Sequence, residues 1–220
     1  ATSGAAASSP EASASAAAPA VPWLTEPEFA ALVSNAAVGE REAWRDLALV
    51  WLLTPLDGEP CVATAALGVP CHKQRGTLAL LRQLDRPALL PLYGAEGTPR
   101  FAQMLAVSDE GARLRLAGRT VQVSPQVLST HWRGEFGVLW RSPPGYQAAT
   151  SQAAARLEPA WLDAQLSRWV LAHAPTPRTV PNSLRTRVRA FQQAQGLEPD
   201  GQVGALTLMQ LNRAVGVDEP

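Results

Sequence analysis

The stretch that decides the fold of this chain runs from residue 188 to residue 211 and reads VRAFQQAQGLEPDGQVGALTLMQL. It predicts a helix that carries Phe191 as a core anchor and ends at Gly196, because glycine readily adopts the backbone conformation that closes a helix. Leu197 then folds back as an apolar latch against that helix.

The second half of the stretch predicts a tight turn followed by a last helix. Asp200-Gly201 is a frequent turn pair, and we expect Gly204 to permit close passage of the backbone before the helix. Thr207 and Leu211 lie four residues apart, on successive turns of that helix.

This segment resembles the second half of the type 1 peptidoglycan-binding domain. That family's signature is filled at Phe191-Gln192, Gly196-Leu197, Asp200-Gly201, Gly204, Thr207 and Leu211. The resemblance is weaker upstream, where the family's first repeat has its own Asp-Gly turn and residues 178–182 read RTVPN. We therefore expect the part of the binding groove that this upstream half builds to differ from that of the family.

The candidate ligand-binding residues are the polar and glycine positions around the turn. Phe191, Leu197 and Leu211 are core residues, and buried core side chains do not bind sugar. Exposed amides and backbone groups can bind glycan hydroxyls or the stem peptide of murein. The predicted peptidoglycan-binding residues are Gln192, Asp200, Gly201, Gln202, Gly204 and Thr207.

Composition excludes some partners. The 220 residues include 19 basic and 19 acidic side chains, so the formal net charge is zero and we predict no nucleic-acid binding. The neutral charge fits a mixed sugar-peptide polymer. The chain has no run of about eighteen apolar residues that would predict a membrane span. We predict no metal and no cofactor.

The order of predicted elements indicates an α+β fold. Residues 25–84 have short helical patterns, starting at a capping box in Thr25-Glu26-Pro27-Glu28. Between residues 87 and 140 follow antiparallel strands, interrupted by one helix that begins at Ser124-Pro125. From residue 157 onward the pattern is helical only, with three apolar stripes.

These patterns divide the chain into four parts. We expect an Ala/Ser/Pro-rich linker at residues 1–22, a larger α+β domain at 23–144, a second linker at 145–156 and a small three-helix domain at 157–220. The first linker begins abruptly, so we expect a cleaved export signal, or a membrane anchor with further domains, to precede it.

The two cysteines, Cys61 and Cys71, allow two interpretations. A disulfide between them would contribute roughly 2–4 kcal/mol and would indicate an oxidising compartment. The spacing fits two buried, unbonded thiols equally well.

The larger domain resembles the periplasmic part of general secretion pathway protein A. The resemblance depends on Cys61, Cys71, residues 84–90 (LDRPALL), the strand from Phe101 to Val107 and residues 132–141 (WRGEFGVLWR). That family joins this domain to a peptidoglycan-binding module in the same order. In the family the domain is a relative of the papain-like C39 cysteine peptidases.

A C39-like peptidase needs a cysteine nucleophile, a histidine base and an Asp or Asn that orients the histidine. Cys61 occupies the nucleophile's position. Arg100 stands where the resemblance places the histidine, and Arg stays protonated at neutral pH and cannot act as a base. No acid occurs in residues 116–119 (LAGR), and His72, His131 and His173 fall elsewhere. We therefore expect a degenerate, non-catalytic domain.

The resemblance implies a periplasmic role, tethered to the inner membrane in the full protein. It predicts anchoring of a type II secretion assembly factor to peptidoglycan, with a secretin or an inner-membrane secretion protein as partner. In that family the full protein supports secretin insertion or multimerisation, and self-association would strengthen wall binding. The alternatives are an active cysteine hydrolase targeted to the cell wall and a protein-interaction module that has lost wall binding.

Overall fold

The computed structural model describes residues 20–36, 39–54, 57–147, 156–173 and 183–220. Most of the two predicted linkers and all of residues 178–182 lie outside these ranges. We call residues 20–147 the sheet region and residues 156–220 the helical region. The domain boundaries given by the sequence stay predictions.

The sheet region contains five helices and six strands among the described residues, and the helical region contains three helices. The helices are α1 (Glu26–Ser34), α2 (Glu40–Val50), α3 (Pro60–Ala66), α4 (Leu78–Leu84), α5 (Pro125–His131), α6 (Pro159–His173), α7 (Leu184–Ala194) and α8 (Ala205–Ala214). The strands are β1 (Cys71–Arg75), β2 (Ala88–Tyr93), β3 (Pro99–Val107), β4 (Ala112–Leu116), β5 (Arg119–Val123) and β6 (Glu135–Leu139).

The six strands form one sheet in the order β1-β6-β2-β3-β4-β5, and every neighbouring pair is antiparallel. The predicted fold class, an α+β region with an antiparallel sheet followed by a small helical region, is confirmed. Strand β1 was not predicted; among the described strands it pairs only with β6, and it forms one edge of the sheet.

The two helix starts predicted from caps are confirmed. Thr25 and Glu28 form a capping box, in which the Thr25 backbone N–H donates to Glu28 Oε2 at 2.8 Å. At α5 the Ser124 hydroxyl accepts a hydrogen bond from the Val127 backbone N–H at 3.2 Å, with proline at the first helical position.

Each face of the sheet packs against its own hydrophobic cluster, because successive side chains of a strand point to opposite faces. One cluster joins the sheet to α1, α4 and α5 and includes Phe29, Leu81 and Leu128. The smaller cluster, on the other face, contains Trp44 and Leu47 of α2. This second cluster also contacts the two cysteines.

Helix α8 packs on both regions. Leu208 and Met209 are fully buried in the main cluster of the sheet region, whereas Leu211 is buried with Phe191 and Leu166 in the cluster of the helical region. The helical region therefore shares its last helix with the sheet region's core.

Within the described residues, no helix combines the length and the apolar character needed to cross a membrane.

Candidate functional site

The turn between α7 and α8 is built around the side-chain amide of Gln192. Its Nε2 donates hydrogen bonds to Asp200 Oδ1 at 2.9 Å, to the Gln202 carbonyl at 2.8 Å and to Thr207 Oγ1 at 3.2 Å. Its Oε1 accepts from the Gly201 backbone N–H at 2.8 Å. One amide therefore holds both sides of the turn against the start of α8.

Two glycines in the turn have backbone conformations that other residues rarely adopt. Gly196 closes α7 with φ +65°, and Gly201 has φ +74°. A Cβ atom at Gly201 would also lie 2.8 Å from Arg185 Cγ. The predicted helix end at Gly196 and the predicted turn at Asp200-Gly201 are confirmed.

Asp200 has a lowered pKa. The backbone N–H of Gln202 donates to its carboxylate at 2.8 Å, and the Gln192 amide adds a second hydrogen bond, so the pKa lies below the ordinary 3.8 of an aspartate. The turn therefore carries a stable negative charge at neutral pH.

The predicted binding residues differ in exposure. Gln192 is 2% exposed and Thr207 is 5% exposed, so the prediction that they are surface side chains was wrong. Burial of these polar groups is tolerated because each makes hydrogen bonds within the turn. Gln202 and Gly204 are exposed, and Asp200 and Gly201 are partly exposed.

A groove of about 720 Å³ lies beside the turn. It contains five of the six predicted binding residues; the sixth, Gly201, belongs to the same turn. The groove is lined by Leu184 and Gln192 of α7, by Leu197, Glu198, Asp200, Gln202, Val203, Gly204, Ala205, Leu206 and Thr207 of the turn and α8, by Leu157 before α6, by Pro159 and Leu162 of α6, and by His72 and Gln74 of β1. Its walls therefore come from both regions.

The surroundings of Gly204 differ from those that the sequence predicts. Its backbone is extended, with φ −90° and ψ 178°, and a Cβ atom there would have no atom of the described structure within 4 Å. The prediction that Gly204 allows close backbone passage was therefore wrong. Its missing side chain leaves space in the groove, and the backbone would accept another residue.

In the sheet region, Cys61 and Cys71 form a disulfide, with the two Cα atoms 5.3 Å apart. Of the two alternatives left by the sequence, the bonded pair is therefore the one present. Cys61 lies in the first turn of α3, and Cys71 is the first residue of β1. Neither sulfur is a free thiol in this structure.

The positions that the resemblance compares with a peptidase's histidine and acid lie on β3 and in the hairpin of β4 and β5. Arg100 lies near the start of β3, with its guanidinium 3.9 Å from Glu96 Oε2. Phe101, beside it, packs on the same hydrophobic cluster as the two cysteines. Residues 116–119 form the hairpin turn between β4 and β5, where Leu116 pairs with Arg119.

Two histidines have described side chains. His72 lies on β1, next to Cys71, and therefore points to the opposite face of the sheet from that residue. His131 lies at the end of α5, where its Nδ1 is 3.0 Å from the Tyr93 carbonyl and its Nε2 is 3.4 Å from Glu26 Oε1. The side chain of His173 lies outside the described residues.

A network of polar contacts also joins the two regions. The Arg86 Nη2 and Glu219 Oε2 atoms are 2.9 Å apart, and their side chains are only 2% and 7% exposed. Glu219 Oε1 also accepts from the Arg141 backbone N–H at 2.7 Å. The Gln83 carbonyl accepts from Gln210 Nε2 at 3.1 Å.

In the described part of the chain, no group of three or more His, Cys, Asp or Glu residues could hold a metal ion.

The fold and the groove together define a class of protein: an α+β region with one disulfide, joined to a small helical module of the peptidoglycan-binding type. Residues 158–211 match the family described as the putative peptidoglycan binding domain. The resemblance seen in the turn and in α8 is therefore confirmed.

The chain as a whole is similar to general secretion pathway protein A. It is 32% identical over 187 residues to that protein of Aeromonas hydrophila, covering 84% of this chain and 34% of the relative. It is 22% identical over 187 residues to the putative general secretion pathway protein A of Escherichia coli (strain K12), covering 84% and 38%. The chain spans about a third of the length of these relatives, and the predicted resemblance is confirmed.

Two solved structures match parts of this chain. A periplasmic domain of the EpsAB fusion protein of the Vibrio vulnificus type II secretion system is 29% identical, with a TM-score of 0.44 over 70% of this chain and 68% of that one. The N-terminal peptidase C39 like domain of a toxin secretion ATP-binding protein from Vibrio parahaemolyticus is 13% identical, with a TM-score of 0.36 over 48% and 100%.

Proposed function

We propose that this chain binds peptidoglycan in the groove between the helical region and β1. The observation that carries the proposal is the coincidence of two independent features. The segment that matches the peptidoglycan-binding family also builds the largest part of the groove, including Asp200, Gln202 and Gly204.

The lining of the groove has the chemistry that a sugar-peptide polymer requires. Leu157, Leu162 and Leu197 supply apolar surface for acetyl and alanyl methyl groups, and the amide of Gln202 and the carboxylate of Asp200 supply polar contacts. Such contacts are individually weak. A repeating polymer would hold the protein through many of them at once, as a multivalent interaction.

The sheet region, in this proposal, is a non-catalytic scaffold with a degenerate C39-like fold. Its candidate nucleophile, Cys61, is bonded to Cys71, so it has no thiolate with which to attack a substrate. The side chains of Arg100 and Phe101, where the resemblance expects the histidine, supply neither a base nor a hydrogen-bond acceptor.

We place this function in the periplasm, in a longer protein tethered to the inner membrane. The likeness to general secretion pathway protein A supports a role in type II secretion. There the chain would anchor an assembly factor to the wall and support insertion or multimerisation of the secretin, with the secretin or an inner-membrane secretion protein as partner. Self-association would strengthen the anchoring.

A pull-down on purified sacculi tests the wall-binding proposal, and Gly204→Phe is the decisive variant. The backbone at Gly204 accepts a side chain, and an aromatic ring there would occupy the groove. We expect the original chain and the control Gly204→Ser to sediment with sacculi, and Gly204→Phe to remain largely in the supernatant. Equal sedimentation of all three would contradict the proposal.

A point variant tests wall binding better than a chain truncated before residue 147 would. Truncation would remove Leu208 and Met209 from the core of the sheet region and would perturb that region as well.

Thiol titration tests the non-catalytic assignment. We expect the unreduced native chain to have no titratable thiol and no hydrolytic activity on sacculi. One reactive thiol of low pKa, together with release of murein fragments that Cys61→Ser abolishes, would establish the alternative, a cysteine hydrolase directed to the wall.

A further inference from the structure

The groove has a wall that the peptidoglycan-binding family match does not include. His72 and Gln74 line it from β1, an edge strand of the sheet region that lies outside residues 158–211. In the sequence these residues are more than eighty positions away from the helical region, and the fold brings them to the mouth of the same groove.

The alternation of β1 explains why these two side chains reach the groove together. His72 and Gln74 are two residues apart and point to the same face of the sheet. Lys73 points to the other face, where it lines a separate cavity of about 240 Å³ beside Glu40 and Trp44. Gln74 touches the edges of both cavities, so His72 is the side chain specific to the groove.

A hydrogen bond between the two side chains fixes the imidazole. His72 Nε2 lies 2.9 Å from Gln74 Oε1, an amide oxygen that can only accept, so Nε2 carries the proton. The Gln74 Nε2 donates to the Arg75 carbonyl at 3.2 Å, which orients the amide. In the neutral ring Nδ1 is then a hydrogen-bond acceptor, and it has no hydrogen-bond partner among the described residues.

The position of this wall relative to the turn is held by the contacts between the two regions. The buried pair of Arg86 and Glu219 and the hydrogen bond from Gln210 to Gln83 attach α8 to the sheet region. Leu208 and Met209 pack in the same interface. A ligand would therefore meet both walls already in place, which lowers the entropic cost of binding.

We propose that His72 is a peptidoglycan-binding residue, and that its Nδ1 accepts a hydrogen bond from an amide N–H of the murein unit. Gln74 is a positioning residue that holds the ring in the accepting tautomer. The binding site thus includes both regions, and the helical module supplies only part of it. This inference rests on the proposed function, since it names a further contact in the same groove.

We choose an amide N–H as the donor because both the sugars and the stem peptide of murein contain one. The N-acetyl groups of the sugars and the peptide bonds of the stem each have an N–H. The groove has apolar surface from Leu157 and Leu162 on which the adjoining methyl groups can pack.

Calorimetric titration of the full chain with disaccharide-tetrapeptide fragments, released from sacculi by a muramidase, tests the inference. Loss of one hydrogen bond predicts about three- to tenfold weaker binding by His72→Ala. His72→Asn places an amide oxygen near the position of Nδ1 and is expected to bind within about twofold of the original chain. The matched control on the opposite face, Lys73→Gln, is expected to bind unchanged.

Titration with the same fragments gives a second measurement, which uses the original chain and therefore does not depend on the folding of a variant. On titration, the ¹⁵N chemical shift of His72 Nδ1 is expected to move when that atom accepts a hydrogen bond. Unchanged affinity of His72→Ala with a stationary Nδ1 signal, while the original chain binds, would overturn this inference and leave the proposed function standing. Failure of the original chain to bind would overturn both.

Discussion

Glu219→Ala is the substitution that most severely tests how the two regions are joined. The Glu219 carboxylate bonds Arg86 through one oxygen, at 2.9 Å, and the Arg141 backbone N–H through the other, at 2.7 Å. The Arg86 side chain is 2% exposed, and burial lowers its pKa, an effect that the neighbouring Glu219 charge opposes. Alanine would leave this guanidinium buried without its counter-ion.

The expected loss of stability follows from that burial. Removing one partner of a buried ion pair costs about 3–5 kcal/mol, because the remaining charge is left uncompensated. In a chain of this size each kcal/mol shifts the melting temperature by about 2–4 °C, so the variant is expected to melt roughly 6–20 °C lower.

Chemical denaturation of three variants separates the charge effect from the packing effect. Glu219→Ala should lose the full amount, while Arg86→Met/Glu219→Met should lie close to the original chain, since an apolar pair of similar volume replaces a buried ion pair at little cost. Arg86→Met alone should fall between them. A change below about 1 kcal/mol in Glu219→Ala, or a double variant as unstable as that single one, would refute the reasoning.

Three further outcomes follow from the sheet and the turn. Gly137→Ala should destabilise the chain by about 1–3 kcal/mol in thermal melting, because its Cβ would lie 2.5 Å from the ring of Trp44; an unchanged melting temperature would contradict that packing. Asp200 has a lowered folded-state pKa, so its stabilisation is present above the unfolded value and is lost as pH falls through the folded value. The melting difference between the original chain and Asp200→Asn should therefore shrink below about pH 4, and a pH-independent difference would argue against the hydrogen bonds described. Reduction of the Cys61–Cys71 bond, which closes a loop of ten positions, should lower the free energy of unfolding by about 2–3 kcal/mol, and no loss in the reduced protein would show that the loop is ordered without it.

The turn and α8 were predictable from the sequence because their determinants are local. Gly196 and Gly201 have positive φ angles that favour glycine, so their positions in the chain mark the helix end and the turn directly. The capping box at Thr25 is likewise a short-range pattern, and the structure contains it.

Strand β1 could not be predicted, because its residues have no strand signal. Residues 71–75 read CHKQR and contain no Phe, Tyr or Trp and no β-branched side chain, which are the residue types enriched in strands. The segment becomes a strand through its pairing with β6, a tertiary interaction between residues about sixty positions apart. Because β1 was not predicted, the position of His72 in the groove could not be predicted either.

The burial of Gln192 and Thr207 and the surroundings of Gly204 could not be predicted for a related reason. A polar residue near a glycine-rich turn suggests an exposed ligand contact, but Gln192 is buried at the centre of the turn's hydrogen bonds. The sequence predicts close backbone passage at Gly204, whereas the structure has open space beside it. Neither the burial of Gln192 nor the open space beside Gly204 can be predicted without knowing which side of the turn faces the groove.

Titration of the ¹⁵N-labelled chain with disaccharide-tetrapeptide fragments, followed by NMR, tests whether murein binds in the groove. We expect the backbone signals of Gly201, Gln202 and Gly204 to shift together with those of β1, at fragment concentrations that leave the signals of α1 unmoved. Shifts confined to other surfaces, or none up to millimolar fragment, would contradict binding in the groove.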